Sequence, residues 1–331
     1  MKNNIIFFSL LVGFFMSCDT DFNINADWEE VTVVFGLLDQ SQDKQFIRIN
    51  KAFLGNESAL IMASNSDSIN YSPEVLEVKI QRFNQINGNI LEEVFLEDTV
   101  ISKDDGIFAS DENIVYFFNT GNFLKEDFSY RIIITNLLSE NIVTSETKLI
   151  NNISLMSAFN NPAYKMGFYN QLGDYSTTTV EWNHASNASI YQVTLFLNYT
   201  EYAQDTLQKT IYKVFPSIKY SGNSELNQQI DGEDFFNFIE NNIEADPLVT
   251  ARRINDVDLL FSAASSEFET YINLNKPPTG IVQERPVFTN INNGIGLFSS
   301  RYNKLQENIL LTSTTKEAIS NQFTDLKFIF P

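Results

Sequence analysis

The sequence predicts an all-β protein built of two β-sandwich domains. Apolar residues alternate with polar ones at a period of two from Val31 onward, the pattern of strands with one buried face. Turn chemistry recurs between the alternating runs, as at Asn87-Gly88-Asn89, Asp104-Asp105-Gly106 and Thr120-Gly121-Asn122, where Gly, Asn and Asp tolerate positive φ. The chain of 331 residues, 43% of them hydrophobic, is long enough for two cores.

Taken in order, residues 1–17 read as a secretory signal. Lys2 is its charged head, and an apolar run from Ile5 to Phe15, too short to span a bilayer, is its core. Ser17 precedes the only cysteine, Cys18, as in a lipobox, where bacterial lipoproteins are acylated and cleaved. Phe15 and Met16 stand where such boxes usually carry Leu and a small residue. Lipid attachment at Cys18 is therefore expected, anchoring the chain in the outer membrane through several acyl chains on one residue. Residues 18–27 form an acidic tether. Within it Asp19 and Asp21 resemble the acidic signals that send lipoproteins of Bacteroidota-type bacteria to the cell surface.

Residues 28–150 form the first expected domain, an immunoglobulin-like sandwich by its strand spacing. Leu76, Val78 and Ile80 alternate with Glu77, Lys79 and Gln81; Tyr130, Ile132 and Ile134 alternate with Arg131, Ile133 and Thr135. Further strands are expected at 31–38, 45–53, 114–118 and 143–149. The second domain, 151–331, follows a segment carrying Pro162, Gly167 and Gly173 without sustained period. Its strands are expected at 178–182, 190–199, 207–215 and 256–263, with a shorter segment around 268–274 that leads into Pro277-Pro278. Trp182 followed by the aromatic-flanked run 190–199 resembles the B and C strands of a fibronectin type III-like sandwich. Lys209 and Lys213 suggest that 207–215 is an exposed edge. One helix is inserted near 232–245, capped by Asp231, with Phe235, Phe238, Ile239 and Ile243 on one packing face.

Composition narrows function. Against 22 Lys+Arg stand 42 Asp+Glu, a net charge of -20, so nucleic acid is not an expected partner. One Cys excludes an internal disulfide, and one His excludes a multi-histidine zinc site. Asp19, Asp21, Asn23, Asn25, Asp27 and Glu30 match the ligand positions of a calcium loop, but Ile24 replaces the turn glycine, so no metal or other cofactor is expected. His184 reads as a turn histidine, with no Gly-x-Ser-x-Gly elbow to pair with it. Gly294-Ile295-Gly296 precedes a strand and reads as a bend into it, unlike phosphate cradles, which feed helices. Tyr164, Tyr169 and Tyr175 are expected to fill cores and the domain junction. Nothing selects two of the 42 acids as a catalytic pair.

Two stretches carry a family likeness. Val33-Val34-Phe35-Gly36-Leu37-Leu38 with Phe46 to Leu54, and Thr289 to Phe298 with its Asn-Ile, Gly and Phe residues, resemble a family of Bacteroidota-type outer-membrane lipoproteins of uncharacterised function. The resemblance implies an N-terminal sandwich, a second β-rich domain, no assigned catalytic residue, and a role beside large outer-membrane machines. Asp67-Ser68-Ile69, Asp98-Thr99-Val100 and Asp205-Thr206-Leu207 resemble the O-glycosylation site of such bacteria, which marks Ser68, Thr99 and Thr206, each in or beside a turn or strand end. The first reading is a non-enzymatic, lipid-anchored binding or scaffold protein with an outer-membrane protein partner. The second is a surface module that captures a nutrient for a transporter, and the third a carboxylate-dependent hydrolase.

Overall fold

The computed structural model describes residues 31–52, 69–102, 113–276 and 287–330. The fold is all-β and made of several sheets; the described residues hold three α-helices. The first unit is built from β1 (Thr32–Leu38), β2 (Lys44–Lys51), β3 (Leu76–Phe83), β4 (Ile90–Phe95), β5 (Glu97–Ile101), β6 (Asn113–Asn119), β7 (Ser129–Asn136) and β8 (Ile142–Lys148). One layer runs β1-β2-β6-β5 and the other β4-β3-β7-β8. Val34, Ile47, Ile49, Ile80, Tyr130 and Ile132 fill the space between. The alternation that flagged β3 and β7 in the sequence places Ile80 opposite Ile132, side by side on the core face. Tyr130 is wholly buried, and its hydroxyl accepts the Lys125 backbone N–H at 2.6 Å, which pins the loop before β7.

The second unit comprises β9 (Lys165–Met166), β10 (Thr178–Asn183), β11 (Ile190–Tyr202), β12 (Thr206–Val214), β13 (Ile218–Lys219), β14 (Glu225–Ile230), α1 (Gly232–Asn242), β15 (Ala251–Ala264), α2 (Ser266–Asn275), β16 (Gly294–Leu311) and α3 (Ser313–Gln322). Consecutive strands β10 and β11 lie in different sheets. β10 pairs with β14, whereas β11 sits between β12 and β15. β12 is the edge of its sheet, as its lysines suggested. Trp182, Tyr191 and Phe261 meet in the core, and α1 closes it with Phe235, Phe236, Phe238 and Ile239 buried. Asp231 caps α1 by accepting the Asp234 N–H at 3.2 Å.

β16 belongs to both units. Its first residues run parallel to β1, from Thr32 opposite Gly294 to Leu38 opposite Ser300. Its later residues run antiparallel to β15, from Arg301 opposite Ala264 to Ile309 opposite Val257. Ile291 and Phe298 therefore pack in the first core, across the division near residue 150. Gly296 is required here. Its φ is 117°, and a Cβ at this position would collide with the carbonyl oxygen of Val34 on β1. The Gly-Ile-Gly sequence is thus a close approach between parallel strands.

One element differs in kind from the sequence expectation. Residues 268–274, outside the single expected helix, lie in a helix of their own, α2. The Ser265 hydroxyl accepts the Phe268 N–H at 3.4 Å, and Glu267 and Glu269 sit in the first turn, where the helix dipole favours them.

Candidate functional site

Cys18, Asp19, Asp21, Ser68 and the calcium-like stretch 19–30 lie outside the described residues. Thr206 opens β12 and is exposed, in keeping with an acceptor in water. Thr99 departs from the expectation of a turn or strand end: it is the middle residue of β5, half-buried opposite Val115, because 97–101 pairs along its whole length with β6. The α1 stripe is a packing face, with Phe235 stacked on Phe168 at 3.9 Å between ring centroids. Tyr169 and Tyr175 lean on Phe236 of the same helix, and Tyr164 packs on Phe159, so the loop tyrosines serve the second core. His184 stacks on Tyr220 at 3.5 Å and its Nδ1 lies 3.0 Å from the Tyr191 hydroxyl. Burial pushes its pKa below the ordinary value, which keeps it a neutral turn residue.

The buried charges are also structural. Arg252 and Glu201 pair at 2.8 Å in the second unit, and the guanidinium also donates to the carbonyls of Leu326 and Glu244, tying the C-terminal segment to the loop after α1. Burial raises the pKa of Glu201, but hydrogen bonds from Lys209 and Arg252 outweigh it and hold the carboxyl below its usual range. Asp39 at the end of β1 accepts from Ser41, and from Asn303 and Arg301 of β16, so it helps fasten the junction. Among the described residues no group of three or more His, Cys, Asp or Glu side chains could hold a metal ion. No described helix is long and apolar enough to cross a membrane.

What stands out as available for binding lies around α2 and on the sheet beside it. α2 buries one residue, Glu269, at 6% exposure. Its carboxylate takes an ion pair from Lys219 at 2.8 Å and a hydrogen bond from the Ser189 hydroxyl. Burial raises its pKa, yet those partners prevail and keep it lower than usual. Tyr271 reaches the first unit, its ring 5.8 Å from Phe35 of β1. Beyond that contact no other described element covers the outer face of β1-β2-β6, which Ile295 at the start of β16 extends. Phe35 is 38% exposed, Phe46 46% and Ile295 38%. Phe46 and Phe117 lie 6.1 Å apart across β2 and β6, and Lys44 stands over Phe117. Arg48 follows on the same face of β2 by strand alternation.

Two cavities flank α2, each of about 370 Å³. One lies at its N-terminus, between the units, and has polar walls, among them Ser129, Lys148 and Asn187. The other lies between the helix and the second sheet, with Phe268, Ile272, Lys276 and Arg301 on its walls. The sequence reading missed α2 and both cavities. The signal it could have used was Ser265 followed by Glu267 and Glu269, a helix start like that at Asp231. No family model matches this chain, and no curated protein matches it significantly.

Proposed function

We propose that this chain is a non-enzymatic, lipid-anchored binding or scaffold protein at the bacterial outer membrane, accessory to a larger assembly. The signal and the Ser17-Cys18 site support the anchor. The observation that carries the binding reading is the open outer face of the first sheet. An isolated exposed apolar residue needs no explanation, but Phe35, Phe46, Phe117 and Ile295 form a contiguous surface on neighbouring strands. Lys44 and Arg48 interleave with them, although the molecule as a whole carries -20. The complementary partner is a protein surface with apolar residues and an acidic rim, since aromatic centres surrounded by charge dominate protein interfaces.

Phe46→Glu tests this reading directly. Phe46 is half in water, so the variant should unfold at the wild-type midpoint. It should fail to retain the membrane protein that co-purifies with the wild type from detergent-solubilised membranes. Equal recovery of the same partner by both proteins would refute the docking face. In parallel, Cys18→Ser should move the protein from the membrane to the soluble fraction.

A further inference from the structure

The polar cavity at the N-terminus of α2 has a wall chemistry that the scaffold reading leaves unused. It lies over the outer face of β7 and β8 and is closed from the other side by the turn before β11 and the start of α2. All of its described lining residues carry polar side chains. Ser129 shows how unusual the site is. Tyr130 points into the first core, so Ser129 points out of the sheet, yet it is only 4% exposed because the second unit stands over it. Its hydroxyl has no hydrogen-bond partner among the described residues. The side chains of Gln85, Lys148, Ser266 and Glu267 are likewise unengaged there. Asn187 spends its amide N–H on the Leu149 carbonyl at 2.7 Å, which leaves its side-chain oxygen free.

Gln85, Lys148, Asn187 and Ser266 stand on the more open walls; Ser129 is the one buried group among these, and leaving it unpaired is costly unless the space beside it holds something polar. The charges limit what that is. Glu146 is taken by Arg131 at 2.6 Å, and the remaining Lys148 and Glu267 offset one another. A phosphate or other dianion has no surplus cation to meet here. The absence of apolar and aromatic walls among the lining residues disfavours acyl chains and aromatic rings. Hydroxyls, amides, one ammonium and one carboxylate offer donors and acceptors in mixture, which suits hydroxyl groups that each donate and accept. We propose that this cavity binds a neutral polyhydroxylated molecule, a mono- or disaccharide by its volume.

The test is calorimetric titration of the full-length, detergent-solubilised protein with glucose, galactose, mannose, N-acetylglucosamine and maltose, with glucose 6-phosphate as the charged control. At least one neutral sugar should bind saturably, and the phosphorylated sugar at least about tenfold more weakly. Ser129→Val and Asn187→Leu should each weaken that binding about tenfold, the loss of one good hydrogen bond. Ser129→Val should also unfold no earlier than the wild type, because it removes a hydroxyl that the protein leaves unpaired. Retained binding in both variants would place the sugar elsewhere and overturn the assignment. No saturable binding by any of the five neutral sugars would overturn it too, leaving a cavity that holds water only.

Discussion

α1 and α2 are helices of 11 and 10 residues, inserted on either side of the same strand β15, and they are held in opposite ways. α1 buries five residues, including three phenylalanines, and closes the second core. α2 buries a single glutamate, and its Phe268, Tyr271 and Ile272 remain partly in water with a cavity on each side. Hydrophobic burial is additive over area and indifferent to pH, so α1 behaves as part of the core. An ion pair with an exposed lysine contributes little and depends on protonation, so α2 is held locally and conditionally. The difference shows that an amphipathic stripe alone does not identify a binding element; the helix without a buried stripe is the one that borders open surface.

The contrast can be broken by mutation. Phe235→Ala should cost about 3 to 5 kcal/mol, since a fully buried aromatic leaves a cavity. Denaturant unfolding reads this, and a loss below about 1 kcal/mol would remove α1 from the core. Glu269→Ala should cost about 1 kcal/mol, read the same way, because Lys219 is exposed while Ser189 loses its acceptor.

Acid provides a third probe. The folded pKa of Glu269 lies below its ordinary 4.5, so its contribution is complete above that value and disappears as pH falls through the folded pKa. Amide protection over 266–275, measured against the intrinsic exchange rate at each pH, should therefore fall below about pH 4.5, and Glu269→Gln should abolish that local pH-dependent loss. Glu201 acts in the same direction elsewhere, which is why the readout must be local to α2. The smallest effect belongs to Ile272→Ala. At 38% exposure it should shift stability by no more than about 0.5 kcal/mol, and a larger loss would mean that α2 is seated as firmly as α1.

The strands that face one core were legible because period-two alternation survives wherever one side meets water, as at Leu76, Val78 and Ile80. α1 was legible for the matching reason, with Asp231 and the Phe stripe in agreement. β4 and β5 escaped notice because side chains on both their faces stand largely in water, so no alternation marks them. β14 escaped because Asn227, Gln228 and Gln229 dilute the pattern between Leu226 and Ile230. α3 begins at the polar run Ser313-Thr314-Thr315 behind its Thr312 cap, and only its later residues carry apolar weight. The open face of the first sheet was unreadable for a deeper reason. Val33, Phe35 and Leu37 alternate with the core residues Val34 and Leu38, so a run apolar on both sides looks like a strand buried on both sides. Which side lies open depends on where α2 ends, and that is a tertiary fact. Ser129 was hidden likewise, because only the second unit above it makes a strand-end serine a buried one.

The shared strand β16 also imposes an order in time. Thr32 opens the first described strand, but its parallel partner, Gly294, is synthesised only after β2 to β15. Until then the first sandwich lacks a strand and two of its core residues, Ile291 and Phe298, and β1 presents an unpaired apolar edge. Contacts so distant in sequence are slow to form, and the half-built sheet invites wrong partners meanwhile. The protein therefore matures as one piece: its earliest strands stay provisional until β16 is made, and an escort that shields β1 in the meantime would serve it better than piecewise folding.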